Sequence, residues 1–114
     1  MSAVFETRED ASDERLRPLR VAIRPDQAFE SVREMAADLK GWSVVTSDES
    51  ARVLVCRKPG GFLGGVATVT IRCEGPPDLP STTVHVRSVS EGAVIARDRA
   101  HVLEFLTPFI RRVC

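Results

Sequence analysis

His85 and Arg87 stand two residues apart in a run where apolar and polar side chains alternate, Val84-His85-Val86-Arg87. On an extended strand, such residues project from the same side. The run before it, Val66 to Cys73, carries Thr68, Thr70 and Arg72 in the same alternation. If the proline-rich segment between the two runs closes them as neighbours, Thr70 falls opposite His85, Thr68 opposite Arg87, and Arg72 diagonal to His85. Guanidinium groups beside an imidazole hold a carboxylate or phosphate, and the imidazole adjusts the local charge near neutral pH. Thr68, Thr70, Arg72, His85 and Arg87 are therefore the candidate ligand-binding residues. A cross-strand polar network that simply stabilises the sheet accounts for the same residue types.

Other chemistries find less support. Ser88 and Ser90 follow on the same strand but lack the glycine-flanked nucleophile elbow, and no base and orienter stand in a known relation to them. His101 has no second ligand four residues away, so it is a poor metal ligand and reads as facing solvent or joining the helix packing. Gly60-Gly61 and Gly64-Gly65 suggest a phosphate loop, but the P-loop lysine and serine are missing and a strand follows instead of a helix. A hairpin explains these glycines better. The carboxylates sit in turns, on outer helix faces and near the start, where they are usually solvating. No catalytic residue, metal site or cofactor is expected, and an enzyme ranks behind a binding module.

The elements that would position these groups follow from periodicity. Leu19, Val21 and Ile23 alternate with polar or small residues up to Pro25, as in a half-buried strand. Ala28, Phe29, Val32, Met35, Ala36 and Leu39 recur at helical spacing between Pro25 and Lys40, and Gly41 stops the helix. Strands are expected at 42–46, 52–57, 66–73 and 81–90. A second helix runs from about Ala96 with Val102, Leu103, Leu106, Phe109, Ile110 and Val113 on its apolar side, and Pro108 should kink or divide it. The order β-α-β-β-β-β-α implies an α+β two-layer sandwich, an antiparallel sheet of about five strands with both helices on one face. Residues 1–17, rich in charge, read as a mobile tail, with Val4 and Phe5 able to dock on the single domain over 18–114.

Strand parity sorts the side chains. Pairing Cys56 with Ala67, Leu54 with Val69, Ile71 with Val84, Val69 with Val86, Val44 with Leu54 and Trp42 with Cys56 puts apolar residues alone on one face, which must meet the helices. The other face mixes Val45, Val53, Val55, Val66 and Val89 with the polar set above. It is either a plain solvated face or one covered by a partner subunit, an acyl-like ligand or the N-terminal segment. Val45, Val53, Val55 and Val66 are the candidate interface, for a homodimer or another protein. Phe62 and Leu63 at the tip of the glycine loop either fold back or join that interface.

Composition narrows the partners. Among 114 residues, 16 basic and 16 acidic side chains cancel, so no field favours nucleic acid or an anionic membrane. Fourteen of the basic residues are Arg, which suits planar anion recognition and equally suits a GC-rich genome. The three cysteines are odd in number and scattered, which disfavours a disulfide framework. Cys56 and Cys73 read as buried small hydrophobes, and Cys114 as exposed. Met1 to Asp10 lacks the basic start and apolar run of a signal peptide, and no stretch is long and apolar enough to span a bilayer. A cytoplasmic protein is the default expectation.

The run Val84-His85-Val86-Arg87-Ser88-Val89-Ser90, leading through a glycine into a basic helix, resembles the ending of a family of uncharacterised small bacterial proteins. That family shows an Arg-Ser-x-Ser signature on a strand before a helix, and a tryptophan-led strand after its first helix, as at Gly41-Trp42 here. Glu91 stands where the family has Arg, and the family's Gly-x-Asn step before the helix is missing. The resemblance implies a bacterial source and an arrangement, not an activity. The element order is also similar to TBP-like and helix-grip folds, whose sheets elsewhere bind apolar ligands, nucleic acid or a second copy. Neutral charge and the lack of aromatic pairs on the outer face disfavour nucleic acid here.

Overall fold

In the computed structural model, which describes residues 2–59, 65–92 and 98–113, the strands form one antiparallel sheet, and β4, β5 and β6 alternate between buried and more exposed side chains. The elements are β1 (Ser2–Glu6), a 3-10 turn (Glu14–Leu16), β2 (Leu19–Val21), α1 (Pro25–Asp38), β3 (Ser43–Asp48), β4 (Val53–Pro59), β5 (Val66–Glu74), β6 (Thr82–Glu91) and α2 (Asp98–Val113). The sheet runs β1-β6-β5-β4-β3, with β2 also paired to β6. Leu54 and Cys56 of β4, Ala67, Val69, Ile71 and Cys73 of β5, and Val84 and Val86 of β6 all point inward and are buried. Both helices cover that face, giving the expected two layers.

The helices follow from their apolar stripes. Pro25 opens α1, where its missing N–H costs nothing and its fixed φ suits the helix. Ala28, Phe29, Val32, Met35 and Ala36 are the buried face. Gly41, at φ 85°, lets the chain leave the helix in a conformation that a side chain would resist. On α2, Val102, Phe105, Leu106 and Phe109 are buried; Phe105 stacks on Phe109 at 5.2 Å and lies 6.0 Å from Trp42. Pro108 lies inside α2 without dividing it. Among the described residues α2 runs from Asp98, and the expected start at Ala96 lies outside them.

Three expectations are corrected. Residues 2–17 do not form a tail separate from the domain. β1 pairs with β6 from Ser2↔Glu91 to Glu6↔Arg87, and Leu16 is buried in the core. The outer edge of β6 is thus covered by β1 along 87–91 and by β2 along 82–84. Five residues whose only large apolar side chains are Val4 and Phe5 carry too little pattern to announce a strand; the unpaired edge of β6 is what recruits them.

Second, the pairings sit two residues from those expected. Cys56 pairs with Val69, Leu54 with Ile71, Ile71 with Val86, and Val69 with Ser88. A two-residue slip keeps every side chain on its face, so the core assignment holds.

Third, β3 departs from parity. Val44 pairs with Cys56, and a bulge at Val45 sets Thr46 against Val55. Trp42 precedes the strand, and Val44 is 46% exposed at the sheet edge. A bulge on an edge strand twists the edge away from further pairing.

Candidate functional site

The outer face of the sheet brings four of the five expected ligand-binding residues together. Arg72 pairs directly with His85, and Thr70 with Arg87. Val53 and Val55 of β4 stand opposite Arg72 and Thr70, and Glu6 of β1 stands opposite Arg87. Thr70, Arg72, His85, Arg87, Val53 and Glu6 line an open groove of about 340 Å³, with Thr7 and Val86 at its floor and wall. Thr68 lies outside it. The two-residue slip moves Thr68 against Arg57 and Val89, one step along the sheet from Arg87.

β1 supplies a wall that the sequence did not announce. Thr7 continues its pairing: the Thr7 N–H donates to the Val86 carbonyl at 2.9 Å, and the Val86 N–H donates to Thr7 Oγ1 at 3.1 Å. These bonds hold Glu6 at the rim. The only hint in the sequence was the apolar pair Val4-Phe5.

The charges in the groove are unevenly engaged. Glu74 Oε2 lies 3.2 Å from Arg72 Nη2 and 3.3 Å from His85 Nε2. Arg72 and Glu74 are exposed and His85 is half-buried, so solvent screens the contacts and a ligand can compete for them. Arg87 makes no ion pair or hydrogen bond through its side chain among the described residues. The Thr70 hydroxyl opposite it is equally unengaged. One free guanidinium beside one free hydroxyl, next to a valine surface, can receive an anionic oxygen.

The expected valine interface is split. Val53 and Val55 form a half-buried strip on β4 beside the groove. Val66 is 43% exposed and sits with Val89 and Val4, the last 53% exposed and paired directly with Val89. Thr68 and Thr70 lie between Val66 and the β4 strip. Val45 is 54% exposed in the bulge. Phe62 and Leu63 lie outside the described residues, as does Cys114.

On the inner face, the two serines of the Arg-Ser-x-Ser run have a definite partner. Ser88 Oγ and Ser90 Oγ donate to Asp98 Oδ1 at 2.5 and 2.6 Å, fastening β6 to the first turn of α2. All three are buried, so neither hydroxyl can reach a substrate. His101, one turn further along α2, is buried as well and does not face solvent. Among the described residues, no three His, Cys, Asp or Glu side chains gather as metal ligands. No helix of the described residues is long and apolar enough to cross a membrane. Cys56 and Cys73 are buried free thiols, and burial pushes their pKa up to about 11 and about 12.

No family model matches the sequence, and no curated protein does. Among solved structures, the chain is similar to the Zhui aromatase/cyclase from Streptomyces sp. R1128. The TM-score is 0.54 at 13% identity, over 98% of this chain and 86% of that one. At that identity the likeness concerns the fold alone. It agrees with the helix-grip and TBP-like order of elements, an α+β sheet wrapped on two helices.

Proposed function

We propose that this chain is a non-enzymatic binding protein that takes a small ligand with an anionic end on its outer sheet face. The observation that carries this reading is the groove of about 340 Å³ in which Arg72, His85 and Arg87 converge beside Val53. That volume lies at the small end of small-molecule sites, and its mix of apolar wall and few polar groups suits one. The buried Ser88, Ser90 and Asp98 are structural, which leaves the groove without a nucleophile paired to a base. The fold likeness to an aromatase/cyclase adds that such a sheet can serve a ligand-handling protein. Amide NMR of the labelled protein, titrated with a panel of small acids, amines and neutral compounds, tests the reading. Saturable shifts at Thr70, Arg72, His85 and Arg87 are expected with acids. No shift there with any class overturns it.

Self-association over the same face is a second reading. The exposed valines favour it, with Val4, Val45 and Val66 each more than two fifths exposed. Light scattering of the wild type and of Val55→Glu decides. A dimer that becomes a monomer in the variant supports the reading, and a monomer in both removes it.

A further inference from the structure

Resting on the groove reading above, we infer that its ligand is an amphiphilic organic monoanion with a carboxylate head. The head sits between Arg87 and Thr70, and the tail crosses the strands toward Val53 and Val55.

The head is assigned by what is already neutralised. Four charged side chains border the groove: Arg72 and Arg87, Glu6 and Glu74. Glu74 holds Arg72 and contacts His85. Arg87 keeps its full set of donors, and Thr70 stands directly across the strand pair with a hydroxyl to give. A carboxylate fits the fork of one guanidinium in two parallel hydrogen bonds. A dianionic phosphate would bring a second negative charge toward Glu6 and Glu74, where like charges repel. The site is therefore matched to a single negative charge.

The tail is assigned by direction. From β6 the face passes through Thr70 and Arg72 on β5 to Val53 and Val55 on β4. Two interstrand steps of about 4.8 Å span roughly 10 Å. Along that line the surface changes from cationic to apolar. In the other direction it meets Glu6 on β1. An extended aliphatic or aryl tail thus has one favourable course, across the strands and away from the β1 wall. The groove lies on the face of the sheet opposite the core, in which Leu54, Ile71, Phe105, Leu106 and Phe109 are buried.

Calorimetry and amide NMR at pH 8 test the class with four probes: octanoate, octanamide, octyl phosphate and acetate. Octanoate is expected to bind saturably with shifts at Thr70, Arg87 and Val53. Octanamide and acetate are each expected to be at least about tenfold weaker, the first lacking the charge and the second the tail. Octyl phosphate is expected to be weaker than octanoate. Arg87→Gln should weaken octanoate by at least about tenfold, and Val53→Asn should weaken it while leaving acetate unchanged; thermal unfolding of each variant verifies the fold. Equal binding of octanamide, or an unaffected Arg87→Gln, overturns the head assignment. Tighter binding of octyl phosphate overturns the monoanion class. Each of those outcomes still shifts the groove resonances, so small-ligand binding in the groove survives them, without the anionic end where octanamide binds equally; silence of the groove toward all probes and the wider panel removes both.

Discussion

Ser88 Oγ donates to Asp98 Oδ1 at 2.5 Å, joining the middle of β6 to the first turn of α2 across the closed interior of the protein. Ser90 donates to the same oxygen at 2.6 Å. Both hydroxyls spend their proton on one carboxylate oxygen, while Asp98 Oδ2 is buried without a hydrogen-bond partner among the described residues, so removing either serine leaves the carboxylate less satisfied still. Ser88→Ala is expected to lower unfolding stability by about 1–3 kcal/mol, and Asp98→Ala by at least about 2 kcal/mol. The double variant should lose clearly less than the sum, with a coupling of about 0.5–3 kcal/mol. Urea unfolding of the four proteins measures this. Strict additivity would mean that the contact contributes nothing.

That cluster also marks where sequence reading stops. The alternation from Ser81 to Ser90 reveals that Ser88 and Ser90 share a face with Val84 and Val86, but nothing in it names Asp98 as their partner. Parity along β4, β5 and β6 is legible because one apolar face must be buried, and a two-residue slip leaves that face unchanged. Absolute register is not legible in that way. Hence Arg72, and not Thr70, pairs with His85, and Thr68 drops out of the groove. The bulge at Val45 inserts one residue with no compositional trace, so strand parity alone places Val44 in the core although it lies exposed at an edge. β1 escaped because its pairing is demanded by the open edge of β6, a tertiary need that five residues of local pattern do not express.

Gly75 follows β5 at the point where the chain turns back. A Cβ placed there would lie 2.3 Å from the backbone oxygen of Ser81 and 3.4 Å from Pro25 Cγ. The obstacle is backbone, which cannot rotate aside as a side chain can. Gly75→Ala should therefore cost about 1–3 kcal/mol, the usual range for inserting a methyl group into filled space. The turn sets how β5 meets β6, so the variant should also disturb the Arg72–His85 pair. A thermal midpoint equal to wild type, with unshifted His85 resonances, would show that the turn has slack.

Cys56 and Cys73 point inward from β4 and β5, and burial raises their pKa to about 11 and about 12, from an ordinary value of 9.0. The thiolate is the reactive form, so native protein at pH 8 should leave both unmodified by iodoacetamide, while urea exposes them. Because the folded pKa lies above the unfolded one, their contribution to stability is complete below about pH 9 and is lost as pH rises through 11 and 12. Replacing Cys73 with Val should flatten the alkaline limb of a stability-against-pH curve. Peptide mapping that finds either cysteine labelled in native protein would contradict the inward orientation.

Asp13 stands at the start of the 3-10 turn that straps β1 to β2. Its carboxylate accepts two hydrogen bonds from the Arg15 guanidinium, at 3.1 and 2.8 Å, and one from the Arg15 backbone N–H at 3.0 Å. Arg99 of α2 approaches to 3.7 Å. The bonds from Arg15, with weaker attraction from the two cations, hold the Asp13 pKa down to about 2, below the usual 3.8. A depressed folded pKa stabilises above the unfolded value and ceases to do so as pH falls through the folded one. The urea midpoints of wild type and Asp13→Asn should therefore differ by a constant amount from pH 7 to about pH 4 and converge as pH falls toward 2. Asparagine can still accept from the Arg15 N–H, so the comparison isolates the charge from the turn geometry. Equal midpoints at pH 7 would mean that solvent fully screens the Arg15 and Arg99 contacts. A gap that persists unchanged at pH 2 would mean that the substitution acts through the turn and not through the carboxylate.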